Sequence, residues 1–173
     1  GYEEALGYTI GDLVRDKDGV SAALICALCA RSLKAEGKNL FDALDQLRQE
    51  LGIFVTGQRT LAIDPDDSQP SLGDRLRASP PKTIVGQPIV RRRDLASPED
   101  KSFPQPSDVL IFYLEDNSRV IIRPSGTEPK IKCYYEMQSP YNDNVPDGGL
   151  KAANKRLQNL IHTHQQELEQ LIQ

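Results

Sequence analysis

The chain has 173 residues, 38% of them hydrophobic and 27% charged, the balance of a globular protein with length for one ordinary domain or one plus part of another. Its 21 Lys and Arg stand against 25 Asp and Glu, a net charge of -4, so no overall positive field draws in nucleic acid or an anionic membrane, and any anion site has to be local. No apolar run approaches the roughly 18 residues of a membrane span and no signal-peptide pattern opens the sequence, which predicts a cytoplasmic protein without membrane or nucleic-acid partners.

The opening stretch, GYEEALGYTIGDLVRDKDG, carries glycine-bounded turns and little periodicity, the texture of an active-site loop. Helical periodicity begins at Val20 and runs to about Glu36, with Gly37 as C-terminal cap. Within it, ICALCAR spaces Cys26 and Cys29 as redox and zinc motifs do, but the surrounding alanines and leucines predict a helix interior with buried, reduced thiols. A second helix starts from Asn39 as cap, sets Leu40, Leu44, Leu47 and Leu51 on one face, and ends at Gly52. No strand is predicted beside these helices in residues 1–52. They are therefore expected to cover something the sequence barely contains, as in a piece of a longer protein.

Beyond Gly52 the texture changes. IFVTGQRTLAI predicts a strand, SLGDRLRA a short helix and TIVGQPIVRR a further strand. A polar, proline-bearing connection leads to DVLIFYLED, SRVIIR and KIKCYYEMQ, three strands at hairpin spacing, the last carrying a buried Cys133. After the turn-rich SPYNDNVPDGG, a final helix places Leu150, Ala153, Leu157, Leu160, Ile161, His164, Leu168 and Leu171 on one stripe, enough to cover a sheet face. The predicted class is α+β, an antiparallel sheet with helices on one side.

Between two of those strands lies RVIIRPSGTEPKIK, residues 119–132. Pro124 fixes one backbone angle and Gly126 permits angles closed to other residues, leaving amides to point into a concavity. The hydroxyls of Ser125 and Thr127 and the fork of Arg123 enter the same space, and Lys130 and Lys132 add charge. Apart from Glu128 the loop is a cluster of donors, which suits a phosphate monoester better than a neutral ligand. On composition alone an ordinary hairpin turn stays open as the alternative.

RPSGTEPKIK resembles the phosphate-binding loop in the last domain of the α-D-phosphohexomutases, the family that includes phosphoglucomutase and phosphomannomutase. EEALG, residues 3–7, resembles that family's sugar-recognition loop in its third domain, and RDKDG, residues 15–19, the segment that follows it. Three motifs in the family's order cover nearly the whole chain. The resemblance implies that residues 1–52 are the C-terminal, helical part of domain three, an α/β domain, and that residues 53–173 are the phosphate-binding domain four. It implies an enzyme that interconverts hexose 1-phosphate and 6-phosphate: a phosphoserine in the first domain donates its phosphoryl group, the bisphosphate turns around, and the other phosphoryl returns.

On that resemblance Arg123, Ser125, Gly126 and Thr127, with Lys132, hold the phosphate that is not being transferred. Glu3 and Glu4 accept hydrogen bonds from sugar hydroxyls. Lys17 approaches the transferring group as charge stabiliser or proton partner. Magnesium bound by residues elsewhere in the full-length enzyme, hexose 1,6-bisphosphate as intermediate and activator, and the family's N-terminal domains complete the implied machinery. Many members have a serine where this chain has Ala5, which leaves the sugar open, in the order glucose, mannose, pentose. A free-standing, non-catalytic phosphosugar-binding module is the alternative from another class.

The family's serine-histidine loop is absent, since no serine here precedes a histidine, and so is its aspartate-rich metal loop; the chain alone is expected to be inactive. DPDD, residues 64–67, precedes a short helix, where acids favour the N-terminal dipole, and no metal is expected there. VRRRD, residues 90–94, reads as a solvated strand end with alternate arginines on opposite faces. His162 and His164 point to different sides of a helix, and of Tyr134 and Tyr135 one is expected in the core and one at the surface.

Overall fold

The computed structural model describes residues 1–3, 6–64, 70–100, 105–125 and 128–172. It divides into two compact units, Gly1–Glu50 and Leu51–Gln173. Among the described residues no helix is long and apolar enough to cross a membrane.

The first unit does contain strands, against expectation. β1 (Tyr2–Glu3) and β2 (Gly7–Tyr8) form a minimal antiparallel ladder, Tyr2 opposite Tyr8, with their rings 5.2 Å apart. Helix α1 (Gly19–Ala35) starts where the Asp18 carboxylate accepts from the Val20 and Ser21 N–H groups, both at 3.1 Å. It ends in a Schellman motif, Gly37 N–H on Lys34 O at 3.1 Å and Lys38 N–H on Leu33 O at 2.8 Å. Helix α2 (Leu40–Leu51) opens on a capping box: Asn39 Oδ1 accepts from Phe41 N–H at 2.7 Å, and Asp42 returns a bond to Asn39 N–H at 2.7 Å. Local signals of this kind define both helices.

Neither helix has a buried residue. Leu24, Ile25 and Leu28 of α1 are exposed, as are Phe41, Leu44 and Leu47 of α2. Cys26 and Cys29, expected as buried thiols, are exposed as well. The expectation failed because an apolar helix stripe indicates what could be buried, while burial needs a second surface that the described residues do not lay over it.

The second unit is built on one sheet in the order β3-β8-β7-β6-β5-β4. Its strands are β3 (Ile53–Ala62), β4 (Thr83–Ile84), β5 (Gln87–Asp94), β6 (Leu110–Leu114), β7 (Arg119–Pro124) and β8 (Lys130–Ser139), all antiparallel to their neighbours. Strand β8 shows the governing alternation: Ile131, Cys133, Tyr135 and Met137 are buried, while the residues between them face the other way. Helix α4 (Leu150–Ile172) lays Ala153, Leu157, Leu160, Ile161, His164 and Leu168 on the buried face, and short helix α3 (Leu72–Ala78) lies beside β7. Leu171, at the end of the predicted stripe, is half exposed. A Cβ at Gly57 in mid-β3 would stand 2.7 Å from Ile161 Cδ1, so a side chain there would force Ile161 to repack between β3 and α4.

The segment TIVGQPIVRR is a hairpin and not one strand. Ile84 pairs with Gln87 across a two-residue turn, with Val85 at φ 50° and Gly86 at φ 72°. A β-branched residue is strained at positive φ, so Val85 concealed the turn from the sequence pattern. The Glu167 carboxylate of α4 accepts from Val85 N–H at 3.2 Å and holds the turn in place.

Candidate functional site

The loop between β7 and β8 is closed by two backbone bonds and one to a side chain. Ser125 N–H donates to Lys130 O at 2.8 Å, Lys130 N–H to Glu128 O at 2.7 Å, and Glu128 N–H to Ser125 Oγ at 3.3 Å. Pro129 O accepts from Ile63 N–H at 2.9 Å, which ties the loop to the end of β3. Gly126 and Thr127, expected at the loop tip, lie outside the described residues.

The ladder decides which side chains meet. Arg123 stands directly opposite Lys132, and Lys132 opposite Thr60, so the three share the sheet face away from α4. Arg123 is exposed and Lys132 half-buried, and no described residue forms a hydrogen bond or ion pair with either side chain. Lys130 is different: its Nζ is 2.8 Å from Glu128 Oε2, so the charge expected to face a ligand is already engaged. Thr60 was not singled out in the sequence, because only the register of β3 against β8 brings it to this row.

In the first unit Glu3 and Lys17 converge over Gly7. A Cβ there would meet Lys17 Cδ at 2.5 Å and Glu3 Oε1 at 2.7 Å, so any larger residue would displace these two side chains. Lys17 Nζ is 2.9 Å from Asp16 Oδ1. Its pKa is raised by the hydrogen bond and charge of Asp16 and further by the charge of Glu3, and Lys17 in turn lowers Asp16. Glu4 lies outside the described residues.

The remaining candidates fall elsewhere. Of DPDD, only Asp64 is described, and among the described residues no three His, Cys, Asp or Glu side chains converge to hold a metal ion. The arginine run is more engaged than a solvated strand end. Arg93 makes a two-pronged bond to Asp100 at 2.9 and 3.0 Å, and the Arg91 guanidinium lies 3.8 Å from the centre of the Tyr113 ring, while Arg92 is exposed on the opposite face. His164 is buried and His162 exposed.

Residues 89–143, which hold most of β5, then β6, β7, the loop and β8, match the family model described as "Phosphoglucomutase/phosphomannomutase, C-terminal domain". The chain is 42% identical over 137 residues to a probable phosphomannomutase of Haemophilus influenzae, an alignment covering 79% of this chain and 27% of that protein. It is 32% identical over 149 residues to a phosphoglucomutase of Staphylococcus haemolyticus, again over 79% and 27% of the two chains. In fold it is similar to the crystal structure, in the open form, of parafusin, the exocytosis-sensitive phosphoprotein and phosphoglucomutase of Paramecium. That likeness has a TM-score of 0.58 at 20% identity and covers 93% of this chain and 28% of the other.

An antiparallel sheet with helices on one face is the fold of a phosphoglucomutase C-terminal domain. The chain belongs to the phosphoglucomutase/phosphomannomutase family. It spans about a quarter of the length of the curated relatives it matches.

Proposed function

We propose that this chain supplies sugar and phosphate recognition to an intramolecular phosphotransferase of the phosphoglucomutase type, which interconverts hexose 1-phosphate and 6-phosphate through a phosphoserine and a hexose 1,6-bisphosphate. Residues 1–52 are read as the end of domain three and 53–173 as domain four. The observation that carries this reading is the opposition of Arg123 and Lys132. Like charges directly across a ladder are unfavourable by about 0.2–1 kcal/mol. Two cations side by side next to Ser125, with no partner among the described residues, are a poor arrangement for an empty protein and a good one for a dianion.

The phosphate that stays in place is held by Arg123, Ser125 and Lys132, together with Gly126 and Thr127. Holding it firmly converts binding energy into placement of the other end of the sugar, where the reaction occurs. Glu3 and Glu4 accept from the sugar hydroxyls. The raised pKa of Lys17 suits a fixed positive charge and not a proton donor near neutrality, so of its two expected roles the first is proposed. The nucleophilic serine belongs to other parts of the protein. So do the magnesium ligands. The proposal includes a cytoplasmic setting, partners limited to the remaining domains and the phosphosugar, and glucose phosphate as first substrate ahead of mannose and pentose phosphates.

The test is a titration of the chain, followed by amide shifts at Arg123, Ser125 and Lys132, with glucose 1-phosphate, glucose 6-phosphate, mannose 6-phosphate, ribose 5-phosphate and free glucose. Phosphate esters should move these signals and free glucose should not. Indifference to every ester sinks the proposal. In the full-length enzyme Arg123→Ala should lower kcat and raise KM, and kinetics on the three sugar phosphates decide the preference.

A further inference from the structure

Helix α3 has only seven residues, far below the roughly 12–15 at which an isolated helix becomes even marginal in water, so contacts outside the helix must hold it. Its first turn buries Leu72 and Gly73. A Cβ at Gly73 would lie 3.6 Å from Pro124 Cγ and 3.4 Å from Asp108 Oδ1. The helix therefore abuts the residue that stands between Arg123 and Ser125.

One turn further on, the Arg77 guanidinium gathers carboxylates from separate parts of the chain. Nε donates to Asp94 Oδ2 at 2.8 Å, Nη2 to Asp94 Oδ1 at 3.2 Å and to Asp108 Oδ1 at 2.5 Å, and Nη1 is 3.6 Å from Asp74 Oδ1. Asp94 ends β5, Asp108 precedes β6, and Asp74 is in α3 itself. Isolated surface pairs contribute little, but a two-pronged, partly buried guanidinium at the centre of a network is the exception. Burial raises the Asp94 carboxyl, yet the bonds from Arg77 and from Ala96 N–H outweigh it and leave the group below its ordinary value.

We propose that Arg77 is a positioning residue for the phosphate-holding loop: it locks α3 against Pro124 and so fixes Arg123 and Ser125, and it offsets three carboxylates that would otherwise repel a phosphate. The inference rests on the phosphate-binding reading of that loop. It adds that the loop's affinity is set from behind by a residue that need not touch the ligand. Loss of Arg77 acts twice, by releasing the helix and by exposing the loop to the field of Asp74, Asp94 and Asp108.

The experiment measures binding of inorganic phosphate and glucose 6-phosphate, with thermal melting in parallel, on the chain and on Arg77→Met, Arg77→Lys, Arg77→Met/Asp108→Asn and Leu157→Ala. Arg77→Met should weaken both ligands by at least about five-fold, a coupling of about 1 kcal/mol. Arg77→Lys, which keeps the charge and loses the fork, should fall between it and the parent, and removing the Asp108 charge should restore part of the affinity. Leu157→Ala, a core lesion under α4, should lower the melting temperature while leaving affinity within about two-fold. An Arg77→Met or Arg77→Lys affinity equal to the parent overturns the proposal, as does an equal loss in Leu157→Ala, which would make the effect one of general stability. If Arg77→Met does not fold, Arg77→Lys decides. A parent chain that binds neither ligand refutes the underlying phosphate reading; a parent that binds, and loses binding only in Arg123→Ala, refutes the role of Arg77 alone.

Discussion

The Tyr135 hydroxyl and His164 Nδ1 lie 2.9 Å apart in the core, joining the middle of β8 to α4, with the two rings edge to face. His164 is almost fully buried, and burial pushes its pKa down to about 4, so the imidazole is neutral and its Nδ1 can accept from the phenol. Between about pH 6.5 and pH 4 the unfolded chain takes up a proton that the folded chain refuses. Stability is therefore fully present above pH 6.5 and declines as the pH falls through that window, by about 3 kcal/mol at its lower end. Melting curves at pH 7.5, 5.5 and 4.5 should fall steeply for the parent and less steeply for His164→Gln, although the variant starts lower. Parallel pH dependences would show that His164 is protonated in the fold.

Arg123 and Lys132 should behave in the opposite way to a stabilising pair. Arg123→Ala or Lys132→Ala should leave the melting temperature of the ligand-free chain unchanged or raise it, a gain of up to about 1 kcal/mol from the relieved repulsion. The same substitutions should abolish the stabilisation conferred by a phosphosugar, which for the parent is about 2.7 kcal/mol at a hundred-fold excess over Kd. A large drop without ligand would mean that the guanidinium serves the fold and not a ligand.

The three cysteines should separate into two classes. Cys26 and Cys29 are exposed on α1, while burial drives the Cys133 thiol up to about 12 and shields it in β8. A thiol reagent at pH 8 should titrate two groups quickly and the third only on unfolding. Rapid reaction of all three would contradict the core placement of Cys133.

At Gly57 side chains of α4 pack directly on the β3 backbone. Gly57→Ala should cost about 1–3 kcal/mol through overpacking against Ile161. Ile161→Val, which removes the methyl nearest the added carbon, should cost less in the Gly57→Ala background than in the parent. Strict additivity in equilibrium unfolding would indicate that the added methyl finds space elsewhere.

Much of this protein was legible from its sequence because the deciding interactions lie within a few residues of one another. The cap at Asp18, the box of Asn39 and Asp42 and the stop at Gly37 delimit α1 and α2 without reference to the rest of the chain. The alternation in β8 predicted one of Tyr134 and Tyr135 in the core, and it is Tyr135 that is buried while Tyr134 is only partly so. The turn at Val85 was missed because a β-branched residue occupies a backbone region that only the surrounding hairpin and Glu167 enforce. Exposure of Cys26 and engagement of Arg93 depended equally on surfaces that periodicity does not describe.

Tertiary structure alone decided that Thr60, Arg123 and Lys132 form one row and that Asp74, Arg77, Asp94 and Asp108 meet behind the loop. Sequence patterns record which face of an element is apolar, since that follows from the helix and strand repeats. Which charged groups become neighbours follows from strand register and chain closure, and those are set by the packing of the whole sheet beneath α4.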